Sequence, residues 1–200
     1  MRDHKSLFLQ QSYLDSYSDY TQSIQNEEYP VWDYVILTAS NETQAEAYRQ
    51  QLEQRLSRRQ IPARTHYAVL PDPEGKRVGS GGATLNGLRY IRQRETSFDG
   101  LKILMIHSGG DSKRVPQYSV CGKLFSPVPR VLPDGRRSSL FDEFIIGLTA
   151  VPQRIPAGML VCSGDVLLLF NPLQIDFYGR GAAALSIKES TALGKNHGVF

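Results

Sequence analysis

Residues 102–106 read KILMI and run straight into His107, Ser108, Gly109 and Gly110. A short apolar run that stops at a glycine pair has the pattern of a buried strand leading into a sharp turn. Similar runs stand on either side of it. WDYVILTA (residues 32–39) and THYAVL (65–70) precede it, MLVC (159–162) follows, and AAALSI (182–187) fits a fifth strand. Between them lie helical patterns. Residues 42–60 are strong helix formers, with Ala45, Tyr48, Leu52 and Leu56 at helical spacing and Ser40 or Asn41 placed to cap them. Glu42 and Glu46 sit toward the positive end of that helix dipole, and Arg55, Arg58 and Arg59 toward its negative end, before Pro62 stops the helix. A shorter helix is expected over 83–95, with Leu85, Leu88 and Ile91 as its buried stripe, and another over 140–149. Apolar strands alternating with helices predict an α/β fold with a mostly parallel sheet covered on both faces.

Residues 1–29 are polar, rich in Ser, Tyr, Gln and Asp, with irregularly spaced apolar residues. They suit either a helix packed on the domain or a partly ordered leader, and Pro30 punctuates the chain after them. The expected organisation is a polar, helical leader over 1–30 and the main domain over 31–200. Tyr13, Tyr17, Tyr20 and Tyr29 in the leader suit packing better than base stacking.

The 200 residues are 40% hydrophobic and 22% charged, the composition of a globular protein. A net charge of only +3 gives no reason to expect nucleic acid as a partner and suits an anionic small molecule equally well. Cys121 and Cys162 are far apart and belong to no Cys-x-x-Cys pair or zinc-ligand pattern, so two free thiols in a reducing cytoplasm are expected. The N-terminus has no apolar signal stretch and the chain has no run long enough to span a bilayer, so no membrane association is expected.

Three clusters carry the chemistry. The first is Arg77, Val78, Gly79, Ser80, Gly81, Gly82, Ala83 and Thr84. Such a run forms either a tight turn that needs small residues or a cradle of backbone N–H groups for an anion. Its position at the start of a helix favours the cradle, with Ser80 and Thr84 as further hydroxyl donors. It is neither a P-loop nor a complete dinucleotide fingerprint, since no Lys-Ser/Thr follows and Thr84 stands where the third glycine would be.

The second cluster begins at His107-Ser108-Gly109-Gly110 and continues through Asp111, Ser112, Lys113 and Arg114 to Cys121-Gly122-Lys123 and Pro129. A solvated basic loop would account for Lys113 and Arg114 alone. It does not account for their place between a Gly-Gly turn at a strand end and a second Gly-Lys. Transfer at phosphorus builds charge on phosphoryl oxygens, which fixed cations and N–H donors stabilise. Arg suits a bidentate clamp on phosphate, whereas Lys is a point charge.

The third is Ser163-Gly164-Asp165 at the end of MLVC. Asp165 is either a turn-capping aspartate or a ligand for Mg²⁺, which commonly takes one or two carboxylates plus substrate phosphates. His107 reads as a residue packed behind the loop rather than a general base, and His4, His66 and His197 have no partners in view.

Taken together, ILMIHSGGDSKRVPQYSVCGKLFSPVP, WDYVILTASNETQAEAYRQQL, GSGGATLNGL and MLVCSGDVLLLF resemble the sugar-1-phosphate nucleotidyltransferases. Within them, the motifs are similar to the guanylyltransferase region of the fucokinase/GDP-fucose pyrophosphorylase family, from residue 32 to the C-terminus. The resemblance implies a three-layer, Rossmann-like nucleotidyltransferase sheet. It implies that fucose 1-phosphate attacks the α-phosphate of GTP, with Mg²⁺, to give GDP-fucose and pyrophosphate.

It also implies residue roles. Arg114 would stabilise the departing pyrophosphate and Lys123 would contact the α-phosphate or the sugar phosphate. Gly109, Gly110, Ser112 and Lys113 would form the turn against the nucleotide, with Gly79, Ser80, Gly81, Gly82 and Thr84 beside it. Asp165 would bind the metal. The wider superfamily usually has Gly at Ser112 and Thr or Ser at Lys113. Its catalytic region is longer than this chain, so 31–200 is expected to be the N-terminal part of a domain truncated at its C-terminus, within a larger and possibly bifunctional protein. The alternatives are a small-molecule (sugar) kinase, which would need a catalytic network not found here, and a non-catalytic nucleotide-binding module, which would have little reason to keep Arg114, Lys123 and Asp165.

Overall fold

In a computed structural model, which describes residues 4–108, 122–168, 170–172 and 181–186, strand β1 (Tyr34–Ala39) is buried at every position. Burial on both faces belongs to the centre of a covered sheet. β1 pairs in parallel with β2 (His66–Pro71) on one side and β3 (Lys102–His107) on the other. A further parallel strand, β6 (Gly158–Ser163), joins β3, so the four-stranded order is β2-β1-β3-β6.

Alternate strand residues face opposite layers. Val35, Leu37, Val69, Leu104, Ile106 and Cys162 pack with three helices: α1 (His4–Gln25), α2 (Glu42–Ser57) and α4 (Leu140–Leu148). Ile36, Ala68, Ile103 and Met105 pack on Ile91 of α3 (Gly79–Arg92) on the other face. Each fully buried aliphatic side chain in these layers contributes on the order of 1.5–3 kcal/mol.

Local chemistry sets the helix ends. The Asn41 side chain accepts the Gln44 N–H at 2.9 Å and so caps α2. Ser139 and Asp142 form a reciprocal capping box on α4. Asp142 also reaches across to α2, where the Arg55 guanidinium meets it through Nε (2.8 Å) and Nη2 (3.1 Å). Arg55, in the last turn of α2 as expected, is also half of a buried bidentate pair that bolts α2 to α4. Residues 4–25 of the polar leader are helical, with Tyr20 buried in the core and the Tyr13 ring 4.1 Å from the Arg130 guanidinium. The carbonyls of Ser23, Asn26, Glu27 and Tyr29, at and beyond the end of α1, converge on Arg64.

Four expectations are corrected. α3 begins at Gly79 rather than near residue 83, so the glycine cluster is itself the first helical turn. Its buried positions are Ala83, Gly87 and Ile91, and Leu85 is 67% exposed. Small residues at the seam let the helix lie close to Met105, which turns the leucine outward. Residues 182–186 form no strand, and Ile187 lies outside the described residues. An antiparallel hairpin, β4 (Pro127–Val131) with β5 (Arg137–Ser139), was not expected, although Leu132-Pro133-Asp134-Gly135 between them is a turn signal. Among the described residues β6 is the outermost strand of the sheet, and its Met159 and Val161 are 37% and 46% exposed.

Candidate functional site

Parallel strands deliver their carboxyl ends to one edge of the sheet, where ligands bind in folds of this type. Here that edge gathers Thr38 of β1, His107 and Ser108 at the end of β3, and Ser163, Gly164 and Asp165 at the end of β6. The strand ends are tied together: Gly164 N–H donates to the His107 carbonyl at 2.8 Å, and the Ser108 hydroxyl to the Thr38 carbonyl at 2.7 Å. Ser108 N–H also donates to Thr38 Oγ1 at 3.2 Å.

The glycine cluster joins this edge through its last member. Thr84 Oγ1 donates to the Ser80 carbonyl at 2.9 Å and lies 2.9 Å from His107 Nε2. Gly79 takes φ 68°, a left-handed conformation suited to glycine, and α3 has no side-chain cap at its amino end. Ser80 and Gly81 are exposed and Gly82 is half-buried. His107 is half-buried, and burial pushes its imidazole below the ordinary histidine range. His66, by contrast, lies at the opposite end of the sheet with Tyr90 as its hydrogen-bond partner, 2.9 Å away.

Lys123 and Asp165, assigned to separate roles from the sequence, face each other. Lys123 opens a 3-10 turn (Lys123–Phe125) anchored by buried Leu124 and Phe125, and its Nζ donates to Asp165 Oδ2 at 3.3 Å. Asp165 Oδ1 accepts the Ser163 hydroxyl at 2.7 Å. The Ser163 hydroxyl above all, with Lys123 adding to it, holds the Asp165 carboxyl below the ordinary carboxylate range against the opposing effect of burial. The side chains of Lys123 and Asp165 remain 41% and 51% exposed, so the pair is worth at most about 1 kcal/mol and an incoming ligand can part it. Among the described residues no group of three or more His, Cys, Asp or Glu side chains could hold a metal; Asp165 is a lone carboxylate.

Gly109, Gly110, Ser112, Lys113 and Arg114 lie outside the described residues, as does Cys121. Both flanks of that stretch are described, and both meet one side chain. The Tyr48 hydroxyl donates to the Ser108 carbonyl at 3.1 Å, and Gly122 packs against the same hydroxyl. Sequence reasoning placed Tyr48 in a core stripe and gave Thr38 and Ser163 no role. A tyrosine in an apolar helical stripe shows its ring to periodicity, not the partner of its polar tip. Cys162 is buried, which pushes its thiol up to about 11. Among the described residues no helix is long and apolar enough to cross a membrane.

The parallel α/β sheet, with a glycine-opened helix and a Lys–Asp pair at its carboxyl edge, defines the class as an α/β protein with a polar site at the strand ends. Residues 95–200 match the model of the fucose pyrophosphorylase domain, and the chain belongs to the fucose pyrophosphorylase family. It is 36% identical over 173 residues to a fucose-1-phosphate guanylyltransferase of Mus musculus, covering 84% of this chain and 29% of the relative. It is 35% identical over 173 residues to the Homo sapiens protein of that name, covering 84% and 28%. It is 32% identical over 197 residues to a bifunctional fucokinase/GDP-fucose pyrophosphorylase of Arabidopsis thaliana, covering 86% and 19%. The chain thus spans less than a third of the length of these curated relatives. No solved structure matches it. The resemblance carried by the motifs therefore points to the right family.

Proposed function

We propose that this chain carries the nucleotide half of a site that forms GDP-fucose and pyrophosphate from GTP and fucose 1-phosphate. A phosphate oxygen of the sugar phosphate attacks the α-phosphorus of GTP. The new P–O bond forms as the bond to the bridging α–β oxygen breaks, and its electron pair leaves with pyrophosphate. The observation that carries this reading is the meeting of Lys123 and Asp165 at the carboxyl edge of the sheet, in a member of this family whose relatives include guanylyltransferases.

Lys123 is the group for the α-phosphate or the sugar phosphate, and Arg114 the group for the departing pyrophosphate. Both act as fixed positive charge where negative charge accumulates. Gly79, Ser80, Gly81 and Gly82 offer backbone N–H groups to the nucleotide at the uncapped end of α3, and Thr84 holds the Ser80 carbonyl in place. Gly109, Gly110, Ser112 and Lys113 are assigned to the opposing turn. Asp165 fits a magnesium ligand: it is ionised, half-exposed, and held by a lysine that a phosphate would attract away. Bound there, Mg²⁺ would neutralise phosphate charge. The free, buried Cys162 thiol supports a cytoplasmic setting, and the fold reading extends to a Rossmann-like nucleotidyltransferase sheet.

The test is pyrophosphate release by the full-length protein. Release that requires both GTP and fucose 1-phosphate is expected. No pyrophosphate with any sugar 1-phosphate would overturn the reading.

A further inference from the structure

Arg55 is buried in the last turn of α2, the end of that helix directed away from the carboxyl edge of the sheet. A guanidinium carries five N–H groups, and here each of them has an acceptor. Nε donates to Asp142 Oδ1 at 2.8 Å, and Nη2 to Asp142 Oδ2 and Ser139 Oγ, both at 3.1 Å. Nη1 donates to the Gln51 carbonyl at 3.2 Å and to Gln51 Oε1 at 2.9 Å. Acceptors on α2 and at the amino end of α4 thus surround the rim and fix the plane of the cation.

The face of that plane rests on aromatic rings. The guanidinium carbon stands 5.0 Å from the centroid of Phe125 and 5.4 Å from that of Phe141, and the two centroids are 5.0 Å apart. The three points form a nearly equilateral triangle, so one cation lies over both rings within cation–π reach. The ring of Tyr48 meets Phe125 edge-on, at 5.1 Å.

Phe125 closes the 3-10 turn that Lys123 opens. Ser126 N–H donates to the Lys123 carbonyl at 3.0 Å, and Leu140 N–H, at the start of α4, donates to the Ser126 carbonyl at 3.1 Å. The turn is therefore held by its aromatic anchor and by the amino end of α4. Arg55 grips both, Phe125 through its face and Ser139 and Asp142 through its rim.

We propose that Arg55 is a positioning residue for Lys123: stacked on Phe125 with its rim held by α4, it fixes where the Lys123 ammonium stands at the carboxyl edge. The bearing of this role on the reaction rests on the functional reading above; the placement of Lys123 does not. A shift of about 1 Å in a group that stabilises a transition state costs up to about a hundredfold in rate, even when the change that causes it is remote. Lysine cannot take over the task. It keeps a cation beside Asp142, but its ammonium has three donors and no flat face.

Two measurements test it. The first is pyrophosphate release from GTP and fucose 1-phosphate by the full-length protein, with Arg55→Lys and Phe125→Leu made singly and on top of Lys123→Ala. Singly, each should lower kcat by about tenfold while KM for GTP stays within about threefold. On top of Lys123→Ala each should cost less than about twofold, since a charge already removed cannot be misplaced. A slowing as large in that background as in the parent would overturn the proposal, because it would report a general loosening; so would parental kcat in both single variants. Should Arg55→Lys fail to fold, Phe125→Leu, which leaves the Arg55–Asp142 pair in place, decides the cycle.

The second measurement needs no activity. With the lysine amines of the full-length protein ¹³C-dimethylated, the Lys123 methyl signal is assigned by its loss in Lys123→Ala. It should move in Arg55→Lys and in Phe125→Leu as the pairing with Asp165 changes, while the signal of Lys76, paired with Glu74, stays. A Lys123 signal unmoved in both variants would overturn the proposal. A parent protein that releases no pyrophosphate would overturn the functional reading instead, leaving the methyl signal to decide the placement.

Discussion

The hydroxyl of Tyr48 occupies the space that a side chain at residue 122 would need: a Cβ added to Gly122 would overlap it. Gly122 also holds φ 62°, where an L side chain is strained. Since the same hydroxyl donates to the Ser108 carbonyl, one buried side chain of α2 holds both flanks of the stretch that contains Arg114. Gly122→Ala should therefore destabilise by about 2 kcal/mol or more, combining backbone strain with overpacking. Tyr48→Phe should recover part of that loss in the double variant, read from urea unfolding midpoints. Strict additivity of the two single changes would show that they do not meet.

Lys123→Ala and Arg114→Ala should each slow pyrophosphate release by about a hundredfold or more, the scale for removing one electrostatic stabiliser at a reacting centre. Steady-state rates of the full-length protein read this directly. Near-normal turnover in either variant removes that residue from its assigned role. The circular dichroism of Lys123→Ala should match the parent, because its half-exposed ion pair holds little of the fold.

The Arg55–Asp142 pair gives the acid limb of stability a predictable sign. Burial pushes the Asp142 carboxyl up, but Arg55 and Ser139 outweigh it and leave the group below the ordinary carboxylate range. Its contribution is thus complete above about pH 4 and is lost as pH falls through the lowered native value. Arg55→Ala should cost about 3 kcal/mol at neutral pH by leaving a buried charge unpaired. In that variant only Ser139 still opposes burial at Asp142, so less stability should be lost as pH falls below about 4 than in the parent. Unfolding midpoints of parent and variant across that range check the difference.

Arg64→Ala should loosen α1 from the sheet, because one guanidinium accounts for hydrogen bonds to four carbonyls at and beyond the helix end. Amide exchange should quicken throughout residues 20–29 while β1 and β3 keep their protection. Unchanged exchange there would mean that packing of Tyr20 alone secures the helix.

Much of this was legible along the chain. The strands at 34–39, 66–71, 102–107 and 158–163 each contain a run of four or more apolar or β-branched residues, and such runs point to parallel strands. A cap at Ser40 or Asn41, which the structure places at Asn41, and a helix over 140–149, which ends at Leu148, followed from local rules. Leu85 misled because its spacing with Leu88 and Ile91 is helical, yet small residues, not large ones, make the closest seam against Met105. The hairpin at 127–139 was hidden by prolines that argue against strands, and its Pro-Asp-Gly turn was the stronger signal.

The sequence by itself determined the alternating class, the central strands, the three polar clusters and the family, since each is written in neighbouring residues. Only the tertiary structure decided partners: Arg55 with Asp142, 87 residues apart; Tyr48 with Ser108, 60 apart; Lys123 with Asp165, 42 apart; and His107 between Thr38 and Thr84. Periodicity reports which side of an element is buried, a local property of the backbone. Which polar atom meets which inside depends on strand order and register, and those are settled only when the whole sheet has closed against its helices.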